Sequence, residues 1–213
     1  MDVVLFGATG NIGGAIAEEL VARGHRVKGI TRSGSAKGRA RAGIELEQGD
    51  AADAAGVAAS VQGYDAVVSA IGPASGSGEP QPFVAAAQGL VEGVRTAGVS
   101  RLLVVGGAGS LEVAPGVQAV DQPGFPEAYR PGALAQREAL EFYRTVDDLD
   151  WTYVSPAAEI GPGAHIGDYQ LAHHRMLFAE DGSSHISYAD YADAVVDCLE
   201  QGTHLRERIT VAD

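Results

Sequence analysis

The chain has 213 residues, of which 46% are hydrophobic and 20% are charged, proportions typical of one globular domain with a substantial core. Acidic residues outnumber basic ones by 28 to 15, and the formal net charge of −13 argues against nucleic acid or an anionic membrane surface as a partner. Cys198 is the single cysteine, which excludes an internal disulfide and a cysteine-based metal site. No apolar run is long enough to span a membrane, and no signal-peptide pattern precedes the first strand, so we predict a cytoplasmic protein.

Strands and helices alternate over the first two-thirds of the sequence. Residues 2–6 form a continuous apolar strand, and the helix predicted at 11–23 carries Ile12, Ile16 and Leu20 on one face. Gly24 is predicted to end that helix. Further strands are predicted at 26–31, 44–48, 66–71, 101–105, 151–155 and 208–211, and further helices at 53–61, 82–98, 132–146 and 187–200.

The order of these elements predicts an α/β fold in which a doubly wound parallel sheet carries helices on both faces. The sequence contains no evident linker or internal repeat, so residues 1–213 are predicted to form a single domain. Two long irregular segments, at 106–131 and 156–186, follow strand ends, where ligands bind in open α/β sheets. We therefore predict that these segments are the substrate loops.

The first strand runs straight into the glycine pattern Gly7-x-x-Gly10-x-x-Gly13, which a helix follows at once. Gly7 permits a sharp turn, the missing side chain of Gly10 lets the backbone approach phosphate groups, and Gly13 lets the helix pack against the strand. A strand, a glycine turn and a helix in this order place a dinucleotide pyrophosphate on the helix N-terminus. The alternative is a tight turn without a ligand. The predicted phosphate-binding residues are Gly7, Thr9, Gly10, Asn11, Ile12 and Gly13.

The end of the second strand, Thr31-Arg32-Ser33, bears on the choice between NAD and NADP. An acidic residue at this position accepts a hydrogen bond from the ribose 2′-hydroxyl, whereas an arginine pairs with a 2′-phosphate. Arg32 and Ser33 therefore predict NADP(H) as the preferred cofactor, with NAD(H) as the weaker alternative. Lys37 or Arg39 would add positive charge nearby. The other interpretation of Arg32 is a solvated arginine on a loop.

Three later strand ends carry small or polar residues suited to a nucleotide. Asp50 follows the third strand, where its carboxylate accepts a hydrogen bond from an adenine amino group or caps the helix that begins near Asp53. The fourth and fifth strands end in small residues, which let the backbone pass close to ribose and phosphates. Ser110 adds a hydroxyl at the same edge of the sheet. The cofactor contacts predicted at these two strand ends are Ala70, Ile71, Gly72, Gly107 and Ala108.

A family resemblance follows from these segments. The motifs G-A-T-G-N-I-G at 7–13, T-R at 31–32, Q-G-D at 48–50, S-A-I-G at 69–72 and V-V-G-G-A-G-S at 104–110 resemble an atypical short-chain dehydrogenase/reductase. The chain is most similar to the NAD(P)H-binding group of NmrA-like proteins and NADH-flavin reductases, and the resemblance extends to residues 123–129, 150–160 and 186–192. It implies a Rossmann-like NAD(P)-binding domain, a nicotinamide cofactor and a relation to small flavin and biliverdin reductases.

One loop after the sixth strand is predicted to lie near the nicotinamide. It contains Pro156 and Glu159, which we predict as further cofactor contacts. The alternative for Glu159 is a solvated loop carboxylate.

The sequence departs from that family at the catalytic pair. Active short-chain dehydrogenases use Tyr-x-x-x-Lys, in which the lysine lowers the tyrosine pKa, but here Tyr129 is followed by Ala133 at the lysine position. Lys28 and Lys37, the only lysines, both lie in the cofactor half. An unassisted tyrosine is a poor proton donor at neutral pH, which argues against a standard alcohol dehydrogenase mechanism. The catalytic candidates are Ser110 and Tyr129. Ser110 would hydrogen-bond the acceptor or the nicotinamide amide, and its alternative is a turn serine. Tyr129 would stack on the acceptor or donate a proton to it.

Four histidines cluster in the last third of the sequence without a metal-binding spacing. Adjacent side chains such as His173 and His174 point apart on a helix, and no H-x-x-x-H or H-x-x-E-H pattern occurs. We therefore predict no metal site, and a histidine acting as an acid in the substrate cleft remains an alternative. On the last helix, Ser187 or Asp190 is predicted as the cap, and Asp193 as part of a solvated face. The four histidines are His165, His173, His174 and His185.

These features favour an NADPH-dependent oxidoreductase that passes hydride to a flavin, quinone or similar conjugated acceptor, because such chemistry mainly requires two rings to be positioned. The first alternative is a non-catalytic NADP(H)-binding redox sensor, favoured by the missing Tyr-x-x-x-Lys. The second is a sugar epimerase or isomerase, whose chemistry depends most on a lysine-assisted tyrosine. The predicted partner is a small-molecule acceptor (flavin, quinone or carbonyl compound), not nucleic acid or a membrane, and the protein is predicted to be a monomer or homodimer.

Overall fold

An eight-stranded sheet forms the central layer of the protein in the computed structural model, which describes residues 1–35, 43–72 and 83–213. Within these residues the strands are β1 (Asp2–Phe6), β2 (Arg26–Thr31), β3 (Ile44–Gln48), β4 (Ala66–Ser69), β5 (Arg101–Val105), β6 (Glu112–Ala114), β7 (Val117–Gln118), β8 (Asp150–Pro156), β9 (Glu159–Gly161), β10 (Gln170–Ala172), β11 (His185–Ser187) and β12 (Glu207–Ala212). The helices are α1 (Asn11–Ala22), α2 (Ala54–Val61), α3 (Phe83–Thr96), α4 (Arg130–Tyr143) and α5 (Tyr188–Gln201).

The large sheet has the strand order β3-β2-β1-β4-β5-β8-β12-β10. All neighbours from β3 to β12 pair in parallel, and β10 at the edge runs antiparallel to β12. The order reverses at β1, where Phe6 lies between Ile30 of β2 and Ser69 of β4. The predicted α/β fold with a doubly wound parallel sheet is therefore confirmed. Strand β10 was not predicted, because three residues are too few to show an alternating pattern.

Apolar side chains at alternate strand positions build two cores, one on each face of the sheet. Val3 and Leu5 of β1 belong to the core that α1 and α5 cover. Val4 and Phe6 belong to the core that α2, α3 and α4 cover. Because helices bury both faces, the edge at the strand ends is the part of the sheet left to a ligand.

The predicted loop 106–131 contains more structure than its composition indicates. Helix α4 begins at Arg130, two residues before its predicted start, with Pro131 in its first turn, where a missing backbone N–H is tolerated. Short 3-10 turns form at Ala108–Ser110 and Ala119–Asp121, and β6 pairs with β7 as a hairpin. The helix predicted at 82–98 corresponds to α3, which spans Phe83–Thr96. Its first predicted residue, Pro82, lies outside the described part of the chain.

Arg23, just after α1, joins that helix to α5. Its guanidinium contacts Asp193, reaches Asp197 at 2.7 Å and lies 2.8 Å from Glu200, all three on α5. It also lies 2.7 Å from Glu19 on its own helix. The predicted solvated face at Asp193 was wrong, because helical spacing aligns these α5 carboxylates towards α1.

Ser187, rather than Asp190, caps α5. The Ser187 hydroxyl accepts the Asp190 backbone N–H at 2.9 Å and donates to the Asp190 carboxylate at 2.6 Å. The other carboxylate oxygen accepts the N–H groups of Ile166 and Gly167 at 2.8 and 2.7 Å. Burial raises the pKa of Asp190, but these hydrogen bonds outweigh burial and hold it below its usual value. Asp190 therefore fastens the loop 156–186 to α5.

Two features are absent from the part of the chain that the structure describes. None of its helices combines the length and the apolar character needed to cross a membrane. No three histidine, cysteine or carboxylate side chains come together in an arrangement that could hold a metal ion.

Candidate functional site

A cleft of about 460 Å³ opens at the carboxyl ends of β1, β2 and β4. These strands meet where the strand order reverses, which is the usual ligand position in open α/β sheets. Eight predicted cofactor residues line the cleft: Gly7, Thr9, Gly10, Arg32, Asp50, Ala70, Ile71 and Gly72. The other lining residues are Phe6, Ile30, Thr31, Gly49, Ala51, Ala52, Phe83 and Ala86.

Close approaches between backbone segments shape the glycine turn. Gly7 has a φ of +81°, and a Cβ there would lie 2.6 Å from the carbonyl oxygen of Ala70. A Cβ at Gly13 would overlap the carbonyl oxygen of Gly7. Both positions therefore require glycine for the fold itself, whether or not a ligand binds.

Gly10 differs from these two glycines because it lines the cleft and has room beside it. A Cβ at Gly10 would meet one neighbour within 4 Å among the described residues, the carbonyl oxygen of Gly7 at 3.4 Å. Gly10 is the N-cap of α1 and offers no side chain to cap the helix, and no acidic residue lies in the first turn. The first N–H groups of a helix have no partner within the helix, so α1 presents donors and its positive dipole end to the cleft.

Thr31 and Arg32 form the wall of the cleft at the end of β2. Thr31 is buried, and its Oγ1 has no hydrogen-bond partner among the described residues. Buried hydroxyls are normally satisfied, so an orphaned one on a cleft wall fits a polar ligand. Arg32 is exposed and adds a cation. Thr31 was not predicted as a site residue, because a threonine in a strand indicates only β structure.

Asp50 closes a turn at the end of β3 and lines the cleft. Its Oδ1 accepts the backbone N–H of Ala52 at 3.0 Å. Helix α2 begins at Ala54 and has Asp53 as its N-cap residue. The structure thus excludes the alternative interpretation of Asp50 as the helix cap.

One wall of the cleft is apolar and comes from α3. Phe83 and Ala86 line it beside Ile71. Pockets with an apolar wall and a few placed polar groups suit heteroaromatic rings. Neither α3 residue was predicted as part of the site, since helical periodicity shows which face is apolar but not which strand end that face covers.

The remaining predicted cofactor residues lie outside the lining of this cleft. Asn11 begins α1 and donates from Nδ2 to the hydroxyl of Tyr188 at 3.3 Å. The Ser33 hydroxyl hydrogen-bonds within its own turn, to Ser35. The others outside the lining are Ile12, Gly13, Gly107, Ala108, Pro156 and Glu159. The two supporting basic residues, Lys37 and Arg39, lie outside the described part of the chain.

The two predicted substrate loops pack against each other. The Glu112 N–H donates to the His174 carbonyl at 2.8 Å, and the Met176 N–H donates to the Glu112 carbonyl at 2.9 Å. Leu111 and Met176 are buried in a small apolar cluster that both loops share. The loops 106–131 and 156–186 therefore form one connected structure.

The structure places the two catalytic candidates in different surroundings. Ser110 is 4% exposed, and its Oγ accepts a hydrogen bond from Arg208 Nη1 at 3.5 Å. Tyr129 is 71% exposed and stands at the N-cap position of α4. Neither residue belongs to the lining of the described cleft.

The four histidines also lie outside that lining. His165 Nε2 lies 3.1 Å from a carboxylate oxygen of Asp193, and this contact holds the pKa of His165 above its usual value. Burial lowers the pKa of His174. The alternative of a histidine acid in the substrate cleft stays a prediction.

The sequence matches the model of an NAD(P)H-binding family over residues 7–202. The match starts at the first glycine of the turn and ends at Gly202, the left-handed cap of α5. The chain belongs to this NAD(P)H-binding family. The predicted resemblance is thus confirmed, and membership assigns the chain a nicotinamide dinucleotide as its cofactor.

Three solved structures share the fold over almost the whole chain. A protein from Burkholderia pseudomallei, provisionally named an exported protein, is 46% identical with a TM-score of 0.90, and 100% of both chains is covered. A protein from Bacteroides thetaiotaomicron, provisionally named an epimerase, is 35% identical with a TM-score of 0.89, covering 99% of this chain and 96% of that one. A Streptococcus pneumoniae protein, provisionally named an NADH-flavin reductase, is 37% identical with a TM-score of 0.82, covering 100% and 99%. Because the three names differ, they support a family and a fold rather than one activity.

Proposed function

We propose that this protein is an NADP(H)-dependent reductase that passes hydride to a flavin, a quinone or a similar conjugated acceptor. The observation that carries the proposal is the cleft at the strand-order reversal, which has the uncapped N-terminus of α1 on one side and Arg32 on its wall. Membership of the NAD(P)H-binding family supports the nicotinamide cofactor. When bound, the cofactor supplies the hydride, and the residues of the chain bind it, orient it and hold the acceptor.

The N-terminus of α1 is the proposed binding site of the pyrophosphate. The backbone N–H groups of Asn11 and Ile12, together with the helix dipole, suit two adjacent phosphates. The missing side chain at Gly10 lets these phosphates approach the backbone, and Thr9 lines the same part of the cleft. Gly7 and Gly13 hold the turn in shape.

The adenosine half of the cofactor is proposed to lie between β2, β3 and α3. Arg32 pairs with the 2′-phosphate, and Ser33 supports the same group. The orphaned hydroxyl of Thr31 supplies a further hydrogen bond. Asp50 accepts a hydrogen bond from the adenine amino group, and Phe83 packs against the ring.

The nicotinamide half is proposed to extend along the carboxyl edge of the sheet, past the ends of β4, β5 and β8. From β4 the edge continues to β5 and then to β8. A dinucleotide extended along this edge leaves the described cleft and reaches the substrate loops. The residues proposed to contact it are Ala70, Ile71 and Gly72 after β4, Gly107 and Ala108 after β5, Pro156 at the end of β8, and Glu159 at the start of β9.

Ser110 and Tyr129 are the proposed acceptor-side residues. The Ser110 hydroxyl orients the acceptor or the nicotinamide amide by a hydrogen bond, and the exposed Tyr129 ring stacks on the acceptor or donates a proton. No lysine follows Tyr129 at the family's position. A conjugated acceptor spreads the charge that arrives with hydride, so it needs less proton transfer than a simple carbonyl.

Oxidation of NADPH by the purified protein tests the reaction. Free flavins, quinones and simple carbonyls serve as acceptors, and NADH is assayed in parallel. We expect turnover with a flavin or a quinone and a higher rate with NADPH than with NADH. Tight binding of NADPH without turnover on any acceptor would contradict the reductase.

Replacement of Arg32 by alanine tests the 2′-phosphate assignment. Loss of a charged hydrogen bond should weaken NADPH binding by about 1–3 kcal/mol, roughly 5- to 150-fold, with little change for NADH. Nucleotide titration measures both affinities. Arg26→Ala is the matched control, because Arg26 begins the same strand and lies at its opposite end. An equal loss for both nucleotides would remove Arg32 from the 2′-phosphate site.

A non-catalytic NADP(H) sensor is the second candidate. It is favoured by the missing lysine after Tyr129. A sugar epimerase or isomerase is a further alternative, and the Bacteroides relative carries the provisional name of an epimerase. Cofactor that stays bound through purification would favour the epimerase, whereas NADPH turnover would exclude the sensor.

A further inference from the structure

Arg208 is a buried cation under the two substrate loops. It stands on β12 and is 4% exposed. Its terminal nitrogens contact Ser110 Oγ at 3.5 Å, the Ser110 carbonyl at 3.4 Å and the His174 carbonyl at 3.4 Å. Its Nε has no partner, and no carboxylate among the described residues pairs with its guanidinium. These distances are at the long limit for hydrogen bonds, so the charge is poorly satisfied.

Arg101 shows how the same chain satisfies another buried arginine. It is 8% exposed, and its Nε also lacks a partner. Its terminal nitrogens, however, donate to Thr152 Oγ1 at 2.7 Å, the Cys198 carbonyl at 2.8 Å and the Asp150 carbonyl at 2.9 Å. A buried charge without such partners carries a desolvation cost that a ligand could offset. Arg208 therefore differs from Arg101 in the hydrogen bonds of its terminal nitrogens, which are longer and weaker.

Two buried hydroxyls without partners share the sheet face of Arg208. Ser155 of β8 and Thr210 of β12 are register partners, as are Tyr153 and Arg208. Residues two apart in a strand point to the same face, so Thr210 and Arg208 share one face with Ser155. Ser155 and Thr210 are both 0% exposed, and neither hydroxyl has a hydrogen-bond partner among the described residues. The acceptor side of the sheet thus combines one under-satisfied cation with two unused hydroxyls.

We propose that Arg208 and Ser110, together with the hydroxyls of β8 and β12, recognise an acidic group on the acceptor. The group is a carboxylate or a phosphate, both of which match the planar guanidinium fork through two parallel hydrogen bonds. This inference rests on the proposed reductase function and narrows its substrate class to acidic conjugated acceptors.

Binding of an acid group at Arg208 requires the two loop segments to move apart, because Arg208, Ser155 and Thr210 are buried. The long contacts from Arg208 to Ser110 and His174 are weak, and short charge-assisted bonds to an acid group replace them as the two loop segments separate. Burial and the nearby Arg144 charge lower the pKa of Arg208 to about 10, so it stays charged at neutral pH. A chain with a net charge of −13 repels anions at long range. An acidic acceptor therefore needs a local buried cation of this kind.

Two matched pairs of probes test the proposal. FMN and riboflavin share one ring system and differ by a phosphate, and a naphthoquinone is used with and without a carboxylate. Calorimetry measures their binding to the protein saturated with NADP⁺, so the result does not depend on turnover. We expect the acidic member of at least one pair to bind about tenfold more tightly than its neutral partner, as a charged hydrogen-bonded pair provides. The pair that shows the preference identifies the acid as phosphate or carboxylate.

Three variants separate recognition from folding. Arg208→Gln should abolish the preference for the acidic member, and Arg144→Gln, which removes an exposed arginine nearby, should keep it. Thr210→Val removes an unpartnered hydroxyl with almost no change of shape, so the fold should survive even where Arg208→Gln unfolds. Thr210→Val should weaken binding of the acidic probe several-fold and leave binding of the neutral probe unchanged. NADPH affinity and the unfolding temperature serve as folding controls.

Some outcomes would overturn the proposal. They are equal binding within both pairs, no binding of any of the four probes, or an acid preference that both Arg208→Gln and Thr210→Val leave intact. Failure of the reductase function is recognised separately. An acid preference without NADPH turnover would refute the reductase alone, whereas turnover of neutral and acidic acceptors at equal efficiency in all variants would refute the acid site alone.

Discussion

Gly10 and Gly13 lie three residues apart in one turn, yet the space around them differs. A side chain at Gly13 would overlap the carbonyl oxygen of Gly7, whereas a side chain at Gly10 would have room beside it and extend into the cleft. The sequence pattern alone treats both as parts of one motif. We therefore predict that Gly13 is needed for the fold and Gly10 for nucleotide binding.

Gly10→Val should abolish binding of both NADPH and NADH while the unfolding free energy changes by less than about 1 kcal/mol. Gly13→Ala should lower the unfolding free energy by about 1–3 kcal/mol or more, because backbone atoms must shift to admit the Cβ. Denaturant unfolding and nucleotide titration measure the two effects. Unchanged affinity in Gly10→Val would exclude the glycine turn from the site, and native stability in Gly13→Ala would contradict the packing argument.

At the scale of elements, Arg23 joins α1 to α5 by ion pairs. The Arg23 side chain is 21% exposed and contacts three α5 carboxylates. Arg23→Ala leaves these carboxylates close together without a cation, so we expect a loss of about 1–3 kcal/mol in unfolding free energy. Arg95→Ala is the control, because Arg95 also holds carboxylates but is more exposed, and its loss should be smaller. Equal losses in both variants would contradict a special role for Arg23.

The same contact predicts how stability depends on pH. Hydrogen bonds from Arg23 hold the pKa of Glu200 below its usual value, and hydrogen bonds from Tyr169 and Arg23 outweigh the effect of burial on Asp197 and lower its pKa too. A carboxylate with a lowered folded-state pKa stabilises the fold above its unfolded pKa, about 4, and this contribution is lost as pH falls through the folded-state pKa. Stability should therefore decline below about pH 4, and less steeply in Arg23→Ala. Thermal unfolding at a series of pH values measures both curves; parallel curves would show that Arg23 does not set these pKa values.

At the scale of the whole molecule, we propose that residues 1–213 form one cooperative unit with the substrate loops as part of it. Trp151, the single tryptophan, is buried between β5 and β12, on β8. Its fluorescence and the far-ultraviolet circular dichroism should therefore report one coincident unfolding transition. Two separated transitions would divide the chain into more than one domain.

Binding of NADPH should stabilise this unit as a whole. Saturation at about 100 times the dissociation constant adds about 2.7 kcal/mol, which corresponds to roughly 5–10 °C in unfolding temperature for a chain of this size. The same concentration of NADH should have a smaller effect, because NADH lacks the 2′-phosphate that Arg32 is proposed to bind. Differential scanning fluorimetry with both nucleotides measures the shifts, and equal shifts at equal concentration would argue against NADP(H) preference.

Local patterns account for what could be predicted at the cleft. The strand, glycine turn and helix from β1 to α1 are contiguous in sequence, so their geometry follows from local rules of chain conformation. The same holds for Arg32, which directly follows β2, and for Asp50, which lies two residues after β3. In a parallel sheet these strand ends meet at one edge, and the structure brings them to one cleft.

The sequence by itself determined the fold class, the family and the position of the cleft, because apolar periodicity and glycine turns act over short stretches of chain. Only the tertiary structure decided which distant groups meet. Arg23 contacts Asp197, from which it is separated by 174 positions in the sequence, and Arg208 contacts Ser110, at a separation of 98 positions. Burial of Arg208 without an ion-pair partner among the described residues is likewise a property of the packed molecule. No local pattern encodes such contacts, because they depend on how complete strands and helices pack against one another.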